Sequence, residues 1–98
     1  MANHILVVDD EVGIRELLFE ILNDEGYRVQ LAANAMEARA MRHAERPDLI
    51  LLDIWMPEMD GITLLKEWGA AGQLNMPVVM MSGPVSYTHL TLPTKRIV

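Results

Sequence analysis

Three short stretches, far apart in the chain, hold the residues with chemistry to offer: Asp9-Asp10-Glu11, Asp53 and Ser82-Gly83. Carboxylates gathered at one place repel one another, and burial raises that cost, so such a cluster calls for a cation. A hard divalent ion held by one or two carboxylates, a carbonyl and several waters is Mg²⁺, which favours phosphate as co-ligand. Beside that ion an aspartate can attack a phosphoryl group and form an acyl phosphate. A hydroxyl such as that of Ser82 can then hydrogen-bond the new phosphate. His4, His43 and His89 show no paired spacing and none ends a strand, which argues against zinc. Each is expected at the surface or a strand edge. The same residues also have plain structural readings. Asp9 and Asp10 suit the N-terminus of a helix, Asp53 and Ser82 suit turns, and Asp60 suits the cap of a third helix.

The chemistry depends on elements that bring these stretches together. Ile5 to Val8 is a short apolar run ending in acids, which predicts a strand buried on both faces. Ile14, Leu17, Leu18, Ile21 and Leu22 form one stripe of an amphipathic helix. Gly26 suits the left-handed position after it. Tyr27 to Ala32 predicts a second strand. Asn34 with Glu37 resembles a capping box and opens a second helix through about Ala44, which Pro47 prevents from continuing. Leu49 to Leu52 predicts a third strand, ending at Asp53. Pro57 makes the stretch from Trp55 to Asp60 a loop.

Gly61 to about Ala70 predicts a third helix with Ile62, Leu65 and Trp68 or Gly69 inward. Pro77 to Met81 predicts a fourth strand, whose methionines Met80 and Met81 are expected in the core. This β-α-β-α-β-α-β alternation with apolar strands implies a parallel sheet with helices on both faces. Ligands of such sheets bind outside the carboxyl ends of the strands, where all three stretches fall.

Composition narrows the field. The 98 residues, 51% hydrophobic, allow one domain. A chain of this length can bury roughly two-thirds of its unfolded surface, so one core is feasible. The absence of cysteine excludes disulfides, thiolate metal sites and cysteine nucleophiles. A net charge of −6 speaks against a nucleic-acid surface on this segment. No apolar run approaches the ~20 residues of a membrane span. Met-Ala-Asn-His at the start lacks a signal pattern, so a cytoplasmic location is expected.

The runs Val7-Val8-Asp9-Asp10-Glu11, Asp53-Ile54-Trp55-Met56-Pro57-Glu58-Met59-Asp60-Gly61 and Val78-Val79-Met80-Met81-Ser82-Gly83 together resemble the receiver domain of bacterial two-component response regulators. The resemblance covers residues 4–83 and implies a flavodoxin-like doubly wound α/β fold, here with strand order 2-1-3-4 and truncated after the fourth strand. The Met-Met-Ser-Gly ending resembles receivers of nitrogen-regulation activators. In those, the receiver precedes an ATPase and a DNA-binding domain.

Carried over residue by residue, the resemblance makes Asp53 the phosphoacceptor. Asp10, assisted by Asp9, holds Mg²⁺ with Asp53, and the backbone carbonyl of Trp55 completes the protein ligands. Ser82 becomes the switch hydroxyl, and Gly83 leaves room for the phosphate. The implied phosphodonor is a sensor histidine kinase, and the implied activity is limited to self-phosphorylation and dephosphorylation. The Trp55 side chain is expected as a partly exposed lid.

The family pattern also needs a fifth strand ending in a lysine followed by proline. Lys95 does not fit, because no apolar strand precedes it and Arg96 follows it. Without that lysine, stable phosphorylation is not expected, whereas Mg²⁺ binding is expected to survive in part. Missing covering elements would leave apolar surface and an open sheet edge, so weak stability or aggregation is expected.

The composition breaks near residue 84. All fourteen acids and all eight methionines precede it, whereas residues 85–98 hold Lys95, Arg96 and three of the four threonines. Val85 to Thr94 resembles one reading frame of a transposase sequencing-library adapter, GTC TCT TAT ACA CAT CTG ACG CTG CCG ACG. The next base, A, opens a lysine codon as Lys95 requires. The index then supplies the bases through Ile97, and GTG followed by TAG gives Val98 and a stop. Residues 1–84 are therefore read as a truncated receiver domain and 85–98 as a non-native, irregular tail set aside from the fold.

Other function classes fit less well. A haloacid-dehalogenase-type phosphatase needs a second aspartate two residues after the nucleophile, where Trp55 stands. A nucleotide-binding domain needs a glycine-rich phosphate loop after the first strand, which the sequence lacks. A receiver that is never phosphorylated and acts as a protein-interaction module stays open as the alternative.

Overall fold

A computed structural model of the chain describes residues 3–54 and 61–81. Its elements run β1 (His4–Val8), α1 (Val12–Asp24), β2 (Arg28–Ala32), α2 (Ala35–Ala44), β3 (Leu49–Asp53), α3 (Gly61–Ala70) and β4 (Val78–Met81). The four strands form one parallel sheet, as the alternation of elements predicts, in the order β2-β1-β3-β4 that the family resemblance implies. Tyr27 and Pro77, placed in strands by the sequence, lie just outside them.

This order dictates where the helices go. The chain moves one way across the sheet from β1 to β2, then back past β1 to β3 and on to β4. Right-handed crossovers therefore put α1 on one face and α2 and α3 on the other. The main core lies on the second face. Leu6, Val8, Ile50 and Leu52 from the central strands pack with Ala35 and Ala38 of α2 and Leu64 and Trp68 of α3. Ile5 and Val7 point the opposite way by strand alternation and are also buried. The two-sided burial expected of β1 is thus observed.

Local chemistry sets the helix ends. The Asn34 side chain accepts from the Glu37 amide at 2.8 Å, and the Glu37 carboxylate accepts from the Ala33 amide at 2.7 Å. This satisfies amides that the first turn of α2 leaves open. Gly26, at φ +94°, ends the turn after α1 in the left-handed region that glycine adopts without strain.

Four details depart from the sequence reading. In α1, Ile14, Leu18 and Leu22 are half-buried, but Leu17 and Ile21 are each 50% exposed. In α3, Gly61, Leu64 and Trp68 are buried, whereas Ile62 is exposed. Met81 is buried but Met80 is 43% exposed, so only one of the pair belongs to the core. His4 is buried rather than superficial. It fits inside because its Nε2 meets the Gln30 Oε1 at 2.8 Å, while its backbone amide donates to Asp48 at 2.8 Å. His43 is exposed, as expected.

Candidate metal and phosphoryl site

Asp9, Asp10 and Asp53 come together at the carboxyl edge of the sheet. Each presents a carboxylate oxygen, and these oxygens lie within 4.8 Å of one another. Asp53 is the last residue of β3, and Asp9 directly follows β1, its neighbour in the sheet. The parallel register pairs Val8 with Leu52, so the next residues along both strands emerge side by side. Asp9 and Asp53 are nearly buried, at 6% and 5% exposure, while Asp10 is exposed.

The backbone of Asp9 is held on both sides. Its amide donates to the Ala32 carbonyl of β2 at 3.0 Å, and its carbonyl accepts from Arg15 Nη1 at 2.8 Å. Its carboxylate Oδ1 accepts from the Glu11 amide at 2.8 Å. Burial raises the Asp9 carboxyl above its ordinary value. The Glu11 hydrogen bond opposes this, and the Asp10 and Glu11 charges add to it. The site thus favours a cation on electrostatic grounds. Asp9 does not act as a side-chain cap in the manner of an N-cap residue. That place belongs to Glu11, whose side chain makes no capping bond.

Asp53 is fixed from its C-terminal side. The Ile54 amide donates to the Met81 carbonyl at 2.9 Å, and the Gly61 amide donates to the Ile54 carbonyl at 3.1 Å. A Cβ on Gly61 would stand 2.4 Å from the Asp53 carbonyl oxygen and 2.7 Å from the Ile54 Cα. Only glycine lets α3 begin this close to the end of β3. The sequence reading gave Gly61 and Arg15 no part in the site. In the sequence Gly61 is a helix start and the last residue of the Asp53–Gly61 run, and Arg15 is a polar position outside the α1 stripe. Trp55, Ser82, Gly83, Asp60, His89 and Lys95 lie outside the described residues.

A four-stranded parallel sheet with three convergent aspartates at its carboxyl edge is the frame of a receiver. The response regulator receiver domain family matches residues 5–91, and the chain belongs to that family. It is similar to the sporulation initiation phosphotransferase F of Bacillus subtilis. The two are 46% identical over 82 residues, which cover 84% of this chain and 65% of that protein. Among solved structures, NtrX from Brucella abortus superposes with a TM-score of 0.78 at 41% identity, over 98% of this chain and 22% of NtrX. The response regulator TrrA from Thermotoga maritima, solved in complex with Mg²⁺-BeF, gives a TM-score of 0.76 at 28% identity, over 98% of this chain and 99% of TrrA. The chain spans just under two-thirds of the phosphotransferase and about a third of the mycobacterial response regulators MprA, which it also matches. It is the receiver domain of a two-component response regulator.

Proposed function

We propose that Asp53 is the phosphoacceptor of this receiver and that Asp9, Asp10 and Asp53 bind Mg²⁺. The observation that carries the proposal is the approach of three carboxylates within 4.8 Å, two of them nearly buried. The donor set is oxygen only, which fits a hard cation rather than zinc or copper. In this reading the Trp55 carbonyl is a further ligand. The bound ion would neutralise charge on the transferring phosphoryl oxygens. The Mg²⁺-BeF complex of TrrA supports this choice of cation.

The proposed part of the protein rests on the place of Asp53 at the end of β3 and, for Ser82 and Gly83, on the family resemblance. An Asp53 carboxylate oxygen attacks phosphorus and forms an acyl phosphate. The phosphorus–nitrogen bond of a histidine kinase's phosphohistidine breaks as it does so, and the departing imidazole takes up a proton. The low exposure of Asp53 limits competing water. The Ser82 hydroxyl donates to the phosphate, and Gly83 leaves room for it. The added charge of about −1.5 to −2 then biases a two-state element.

In the longer protein this switch governs output ATPase and DNA-binding domains, and so transcription, in the cytoplasm. Partial coverage of longer relatives such as NtrX supports further domains. No helix among the described residues is long and apolar enough to cross a membrane. The proposal keeps residues 1–84 as the receiver unit and 85–98 as an adapter-derived tail. The division rests on the composition break near residue 84 and on the codon match, and the family match runs past it to residue 91. Reading the source DNA through codon 84 from outside the insert tests it, and a genomic template encoding the same tail overturns it.

Calorimetric titration with Mg²⁺ tests the site. Saturable binding is expected for the wild-type chain, and its loss in Asp10→Asn and Asp53→Asn. Equal binding by all three proteins would refute it.

A further inference from the structure

We infer that Arg15 is a positioning residue for the acidic site, acting through the backbone of Asp9. The inference rests on the Mg²⁺ reading given above and assigns a role to a side chain outside the metal ligands.

Arg15 belongs to the first turns of α1, six residues beyond Asp9, and is half-buried. Its Nη1 donates to the Asp9 carbonyl at 2.8 Å. That carbonyl leads directly into Asp10, so the bond fixes the peptide joining the two aspartates. The Asp9 amide is already held by Ala32 across the sheet. The Asp9 side chain is already held through Glu11. Among the described residues, the Arg15 bond is the remaining hydrogen bond to Asp9, and the one donated by a side chain. It ties the loop after β1 to α1, whose own N-cap residue, Glu11, contributes no side-chain bond.

Charge alone gives a different expectation. The guanidinium acts on the Asp9 carboxylate only weakly, behind burial and the nearer acids. A cation near a cation site lowers Mg²⁺ affinity. If Arg15 served only as a charge, removing it would tighten Mg²⁺ binding, and lysine would replace it without loss. If it positions the Asp9–Asp10 peptide, both replacements weaken binding. Lysine carries the charge but not the planar fork that places Nη1 on the carbonyl.

The experiment compares the full 98-residue chain with Arg15→Lys and Arg15→Gln. Mg²⁺ affinity is measured by calorimetry at low and high salt, and amide hydrogen exchange is measured at Asp9, Asp10 and Glu11 without metal. Positioning predicts five- to tenfold weaker Mg²⁺ binding in both variants at either salt concentration (about 1–1.4 kcal/mol). It also predicts faster exchange of the Glu11 amide, with exchange in β3 unchanged. Tighter binding by Arg15→Gln, or wild-type binding by Arg15→Lys, would overturn the inference. If the wild-type chain binds no Mg²⁺, the Mg²⁺ reading fails, and Glu11 exchange still decides the role of Arg15. Faster exchange in both variants sustains that role, and unchanged exchange removes it.

Discussion

At the scale of single residues, the chain keeps two acids where water is scarce. Asp9 shows the consequence most plainly, because burial holds its carboxyl above the ordinary value of 3.8. A carboxyl raised on folding contributes stability that is fully present below its unfolded value. That contribution is lost as pH rises through the folded value. The metal-free protein therefore pays for ionised Asp9 at neutral pH. Asp9→Asn is expected to melt higher than wild type at pH 7 without metal, with the advantage shrinking as pH falls toward 3.5. Saturating Mg²⁺ should reverse the order, because only the wild type keeps all three carboxylates of the proposed site. Thermal melts at the two pH values, with and without Mg²⁺, check this. A wild type more stable than Asp9→Asn at pH 7 without metal would contradict the sign.

The acids themselves were legible in the sequence, since each follows an apolar run that ends at the sheet edge. The burial of His4 was not. It depends on Gln30 from β2 and Asp48 from the loop before β3, partners that only the folded sheet brings together.

At the scale of elements, order and type followed from apolar periodicity, but the rotation of each helix did not. Five apolar positions of α1 share a helical face, yet only Ile14, Leu18 and Leu22 are half-buried. Periodicity identifies residues on one face without stating how wide an arc its partner covers. In α3 the close approach of Gly61 to Asp53 and Ile54 sets the helix's rotation. It turns Leu64 and Trp68 into the core and leaves Ile62 outside. Gly61→Ala must displace backbone atoms of Asp53 and Ile54 at the end of β3. The variant is expected to lose roughly 1–3 kcal/mol of stability. It should also bind Mg²⁺ more weakly, because Asp53 shifts. Chemical denaturation and Mg²⁺ titration read the two effects. Unchanged stability with unchanged affinity would show that the approach is not a constraint.

At the scale of the whole molecule, the described residues place an ordered acidic edge and an apolar flank on the same helix-covered sheet. Leu17 and Ile21 lie four residues apart on α1, both exposed, with Phe19 and Val12 exposed on another side of that helix. Paired exposed apolar side chains favour association between molecules. Leu17→Gln with Ile21→Gln is expected to change stability by less than about 0.5 kcal/mol per site, yet to lower light scattering at high protein concentration. A large fall in melting temperature would show that this flank is covered in solution.

The central claim concerns Asp53, and trapping its product tests that claim most directly. The chain is incubated with a small-molecule phosphodonor such as acetyl phosphate and Mg²⁺, reduced with borohydride while the donor is present, and mapped by mass spectrometry. Reduction captures an acyl phosphate even when it is short-lived. Homoserine is expected at position 53, dependent on both donor and Mg²⁺. Reduction at another acid, or none at position 53 in a chain that demonstrably binds Mg²⁺, would contradict it.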